Sequence, residues 1–73
     1  MKPEDFRFLI DCKKEFEFDF RGVKYSITYG SDSKGDYIAF GRLFQPKRFY
    51  SWGELMNEAE VENSYFREVL EDL

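Results

Sequence analysis

The chain has 73 residues, a formal net charge of −4 and fifteen aromatic residues, but no histidine and a single cysteine, Cys12. A length of 73 residues predicts one domain, residues 1 to 73, whose core must be dense because a short chain buries a smaller fraction of its surface. One cysteine excludes an internal disulfide framework and a cysteine-based metal site, and the lack of histidine removes the commonest general base and zinc ligand.

A reducing, cytoplasmic setting is expected from the lone thiol, with no metal and no cofactor. The N-terminal stretch "MKPEDFRFLIDCKKE" mixes acids with its apolar residues, so it reads as neither a signal peptide nor a membrane span. Charge is uneven along the chain. Residues 1 to 50 carry ten Lys/Arg against eight Asp/Glu, whereas residues 51 to 73 carry Arg67 alone against seven acids. An acidic end of this kind repels nucleic acid.

The first segment, "KPEDFRFLIDCKK", reads as a short helix. Pro3 suits the first turn, Glu4 and Asp5 lie at the positive end of the dipole, and Lys13 and Lys14 lie at the negative end. Phe6, Leu9 and Ile10 share a stripe at three-and-four spacing. Phe6, Phe8 and Ile10 also alternate, which leaves an edge strand as the competing reading.

From Glu15 the period becomes two. Phe16, Phe18 and Phe20 point one way, and Glu15, Glu17 and Asp19 the other. Arg21-Gly22 reads as a two-residue hairpin turn, although Arg21 is a poorer choice than Asn or Asp there. Counting outward sets Phe20 opposite Val23, Phe18 opposite Tyr25 and Phe16 opposite Ile27. On the wet face Asp19 then meets Lys24, Glu17 meets Ser26 and Glu15 meets Thr28.

"GSDSKGD", residues 30 to 36, is a hairpin connection. It completes neither a calcium loop nor a phosphate loop. "DYIAFGR" is a third strand with Ile38 and Phe40 on the core face, ended by Gly41 and by Gln45-Pro46, where the proline fits a loop or an edge strand. Ser51 with Glu54 forms a capping box for the helix "WGELMNEA", whose apolar stripe is Trp52, Leu55, Met56 and Ala59. "EVEN" makes a corner anchored by Val61. Asn63 or Ser64 then caps a last helix, "SYFREVLEDL", with Phe66, Val69, Leu70 and Leu73 in register.

The predicted fold is therefore α+β: a short N-terminal helix, a three-stranded antiparallel meander, and two short C-terminal helices packed on one face of the sheet. The expected core is Phe16, Phe18, Phe20, Val23, Tyr25, Ile27, Ile38, Phe40, Trp52, Leu55, Val61, Phe66, Val69 and Leu70.

In this arrangement the chain resembles a group of small bacterial and phage-borne proteins. They share a short leading helix, a hairpin of the form eFeyxGkkYsI, a third strand, and a helix pair of the form ySxxELLxxAxIxGxxLxEil. The residues that carry the likeness are "EFDFRGVKYSI" at 17 to 27 and "YSWGELMNEAEVENSYFREVL" at 50 to 70. Asn63 stands where the group often has glycine. The resemblance implies an α+β fold, without an established activity and without catalytic residues to carry over.

No nucleophile, base and orienting group fall into a recognisable pattern, so an enzyme is not expected. The expected role is a non-catalytic protein-interaction or self-association module, engaging an unknown protein partner or a second copy. Tyr29, Tyr37, Phe44 and Tyr50 lie outside the cleanest core pattern and are the candidate surface aromatics. With Arg42, Lys47 and Arg48 they make up the candidate interaction surface. The alternative is a nucleic-acid-binding accessory protein that uses the basic and aromatic segment Arg42 to Trp52. Its few cations argue against it, since strong binders neutralise on the order of 6 to 10 phosphates.

Overall fold

Helix α1 (Pro3–Asp11) opens the chain in a computed structural model that describes residues 1 to 73. Phe6 and Ile10, four apart, are buried, while Phe8 is 67% exposed. That spacing is helical, so the edge-strand alternative falls. Lys14 N–H donates to the Leu9 carbonyl at 2.9 Å and Lys13 N–H to that of Ile10 at 3.0 Å. Lys13 itself is left-handed, with φ 53°. This is a Schellman closure, so the two lysines form the exit from the helix and are not part of its last turn.

Strands β1 (Phe16–Phe20) and β2 (Val23–Asp32) pair antiparallel in the predicted register, with Phe20 opposite Val23, Phe18 opposite Tyr25 and Phe16 opposite Ile27. Arg21 and Gly22 have φ 51° and 80°. Two positive values in succession define the primed turn whose twist suits a hairpin. On the outer face Asp19 does oppose Lys24, but the ammonium of Lys24 lies 3.8 Å from Glu17, its diagonal neighbour. The rings of Phe16, Phe18 and Phe20 are half-buried, not central. Strand β1 is an edge, so its side chains have a neighbouring strand on one side only.

Two expectations are corrected here. Strand β3 (Gly35–Arg42) is followed by a fourth strand, β4 (Gln45–Phe49), and the sheet runs β1-β2-β3-β4. Gln45-Pro46 starts an edge strand, one of the two readings its proline allows, and raises the strand count from the expected three to four. Arg42 and Gln45 flank a two-residue turn. The next pair, Gly41 and Pro46, is then a non-hydrogen-bonded one in which the proline nitrogen faces the open edge, where a missing donor costs nothing. Gly41 is required there, because a Cβ would lie 2.9 Å from the Gln45 carbonyl oxygen.

The second correction concerns the C-terminal end. Helix α2 (Trp52–Glu58) begins as expected, the Ser51 hydroxyl accepting from Glu54 N–H at 3.0 Å. The Glu54 carboxylate reaches back to Tyr50 N–H at 3.3 Å, one residue before the cap. A small hairpin follows in place of a plain corner: β5 (Glu60–Val61) pairs with β6 (Ser64–Tyr65). Glu62, at φ 57°, supplies its left-handed turn residue. Neither Asn63 nor Ser64 caps a helix. Helix α3 is only Phe66–Val69, continued by a 3₁₀ turn over Leu70–Asp72. Phe66 N–H is held by the Ala59 carbonyl at 2.9 Å, which leaves less chain for the helix.

The helices cover the face that carries Phe18, Tyr25 and Phe40. Phe66 is the hub, with ring centroids 4.4 Å from Phe40, 5.2 Å from Phe6 and 5.9 Å from Phe18. Tyr25, Ile27, Ile38, Phe40, Leu55, Val61, Val69 and Leu70 are buried as expected, joined by Phe6, Ile10, Phe49 and Ala59. Phe20, Val23 and Trp52 pack at the margin. No helix is long and apolar enough to cross a membrane.

Candidate interaction surface

On the outer face, one end of the sheet carries a cluster of charged and aromatic side chains. Tyr37 on β3 pairs across to Gly30 on β2. Its ring lies over the glycine so closely that a Cβ there would collide with the phenol. Arg48 on β4 stacks on that ring, with its guanidinium carbon 4.4 Å from the centroid. Beside it stands Tyr50, 6.2 Å from Tyr37 centroid to centroid, edge to face.

Asp32 joins these groups. Its Oδ2 accepts from Arg48 at 2.9 Å and from the Tyr50 hydroxyl at 2.7 Å, while its Oδ1 accepts from Lys34 N–H at 2.8 Å. The Tyr50 hydrogen bond, with help from Lys34 N–H and Arg48, holds the Asp32 carboxyl below the usual carboxylate range. The same carboxylate pushes the Tyr50 phenol up and keeps Arg48 protonated even more firmly. The network thus ties the β2–β3 turn to the end of β4. Arg48, Tyr37 and Tyr50 already have partners within the molecule.

Tyr29 sits apart, half-buried near the end of α1. Its hydroxyl donates to the Lys14 carbonyl at 3.0 Å. Burial, and secondarily the nearby charge of Glu15, push its phenol up to about 12. It anchors the chain where the helix passes into β1.

Arg42, Phe44 and Lys47 lie at the opposite end of β3, around the turn formed by Leu43 and Phe44. Phe44 is 91% exposed and held at φ 72°. Arg42 and Lys47 are exposed, and neither takes part in an ion pair. The seven predicted surface residues therefore divide three ways. Tyr37, Arg48 and Tyr50 form the network, Tyr29 anchors α1, and Arg42, Phe44 and Lys47 frame a free turn.

Asp32 was missed by the sequence reading as the organiser of this face, because an acid inside "GSDSKGD" looks like an ordinary turn residue. Only a fourth strand puts Arg48 on the same face as Asp32, in the row of Ala39 and Thr28, from which its guanidinium reaches the carboxylate across the Tyr37 ring. No three acidic or thiol side chains converge as metal ligands would. Comparison with protein-family models, curated proteins and solved structures finds no match for the chain.

Proposed function

We propose that the chain is a non-catalytic protein-interaction module that presents Phe44, framed by Arg42 and Lys47, to an acidic surface of a partner protein inside the cell. The observation that carries this reading is Phe44 itself, 91% exposed at φ 72°. A residue with a Cβ in the left-handed region costs about 1–2 kcal/mol. A phenylalanine left in water forgoes about 1.5–3 kcal/mol of burial. Glycine or asparagine would relieve both costs, yet the position holds a large aromatic anchor of the kind found at interface centres. Two unpaired cations beside it favour an acidic partner and speed its approach.

Nucleic acid is the weaker reading. With Arg48 held by Asp32, only Arg42 and Lys47 remain free near the turn. Strand addition along β4 is also disfavoured, since Pro46 and Lys47 guard that edge.

The test compares proteins captured by the parent chain and by an equally folded Phe44→Ala variant. A partner retained by the parent and lost by the variant supports the proposal, provided that it binds the purified chain with salt-sensitive affinity. Identical captured sets contradict it. Sedimentation across concentration checks whether the acidic segment of a second copy is that partner. Binding of short oligonucleotides that depends on Phe44 would transfer the surface to the nucleic-acid reading.

A further inference from the structure

On the core side of the sheet, a cleft of about 310 Å³ separates the β3–β4 hairpin from the α2–β5 corner. That is the lower end of the range for small-ligand sites. One wall carries Arg42 and Lys47, the other Glu58 and Glu60. No ion pair joins the two walls. A fifth charge at the rim, Glu62, is engaged by Arg21 at 3.5 Å and leaves the other two acids free.

Tyr25 also lines the cleft and is only 2% exposed. Its hydroxyl is the one buried side-chain polar atom in the molecule without a hydrogen-bond partner. The ring packs in a cluster with Phe18 at 5.5 Å and Phe40 at 6.1 Å, themselves 6.2 Å apart. Burying a hydroxyl unsatisfied is unfavourable, so this group favours any occupant of the cleft that offers it a hydrogen bond.

We propose that this cleft binds a small zwitterion of the α-amino-acid class, with its carboxylate against Arg42 and Lys47, its ammonium against Glu58 and Glu60, and a hydrogen bond to the Tyr25 hydroxyl. A ligand with two like charges is repelled by one wall. A singly charged ligand satisfies only the other. Only a molecule with both charges a few ångströms apart uses both walls while offering the hydroxyl a partner. The site goes beyond the docking surface at Phe44: the two share Arg42 and Lys47, but the cleft does not use the Phe44 ring.

The test is a backbone-amide NMR titration of the full chain with glycine and L-glutamine, with acetate and methylammonium as single-charge controls. Saturable shifts at Gly41 and Glu60 are expected with the amino acids, at a dissociation constant of order 1 mM or tighter. The controls should bind at least about tenfold more weakly, the loss of one charge-assisted contact. Tyr25→Phe keeps the stacked ring and should weaken binding by roughly tenfold, the equivalent of one hydrogen bond, without lowering the melting temperature. Glu58→Gln with Glu60→Gln, both on the surface, should make glycine no better than acetate. Phe44→Ala should bind glycine as the parent does, which separates this site from the docking surface. Absence of saturable shifts, acetate binding as tightly as glycine, or unchanged affinity in Tyr25→Phe would each overturn the assignment.

Discussion

The Tyr50 hydroxyl donates to Oδ2 of Asp32 at 2.7 Å, the same oxygen that accepts from Arg48 at 2.9 Å. Eighteen residues separate the aspartate from the tyrosine, so this contact closes the far end of the sheet in a way that no neighbouring pair does. Asp32 titrates below its ordinary value in the folded chain, because the charged form receives these hydrogen bonds.

An acid limb of stability follows from that. A carboxyl whose folded pKa is depressed contributes stability that is present above its unfolded value, about 3.9, and lost as pH falls through the lower folded value. Denaturant melts at descending pH should show the parent losing stability across this window. Asp32→Asn should start less stable at neutral pH and show a flatter acid limb. Parallel curves for the two proteins would contradict the network.

At the alkaline end the sign reverses. Tyr29 is raised to about 12 by burial and then by Glu15, so its contribution is complete below the ordinary phenol value of about 10. That contribution is lost as pH climbs toward the folded value. Tyr50, also raised, acts in the same direction. Spectrophotometric titration should find Tyr29 among the last tyrosines to ionise. Tyr29→Phe should remove that late step and loosen the exit of α1, seen as faster exchange of the Phe16 amide.

Phenylalanines should differ sharply in what their removal costs. Phe66→Ala, at the hub of the core, should cost about 3–5 kcal/mol, a large part of the stability of a chain this size. Phe18→Ala, on the edge strand, should cost less, about 1.5–3 kcal/mol. Phe44→Ala should stay within about 0.5 kcal/mol of the parent. Urea melts of the three variants check the order, and a large loss at Phe44 would mean that its ring is packed.

Gly30 and Gly41 make a second contrast. A methyl group at Gly30 meets the phenol of Tyr37, which can move aside, whereas one at Gly41 meets the fixed carbonyl of Gln45. Gly41→Ala should therefore cost about 1–3 kcal/mol and Gly30→Ala less. In Gly30→Ala the displaced ring should also lose its stack with Arg48, seen as a shift of the guanidinium NMR signals.

The hairpin was legible because three independent signals coincided: alternating phenylalanines, a glycine able to take positive φ, and apolar residues at matching counts beyond it. Helix α1 was legible from its proline, its acids and its spacing. Strand β4 was not, because Pro46 fits a loop as well as an edge strand, and four successive exposed residues hide the alternation that ends in buried Phe49. The last helix was overextended because Phe66, Val69 and Leu70 keep helical spacing in a single turn plus a 3₁₀ turn. The β5–β6 pairing depends on Glu62 adopting a left-handed backbone, which its side chain does not advertise. For the surface, the residue types were readable but their grouping was not. Arg48 and Lys47 are adjacent in sequence, yet alternation sends one to the Asp32 network and the other to the cleft.

The most direct test of the account is the affinity of a purified partner for the parent chain and for Phe44→Ala, measured at matched ionic strength with both proteins shown to melt together. An aromatic anchor at the centre of an interface predicts a loss of at least about 2 kcal/mol, roughly thirtyfold in dissociation constant, and a parent affinity that falls as salt rises. Equal affinity for the two proteins would contradict the claim that the β3–β4 turn is the docking surface.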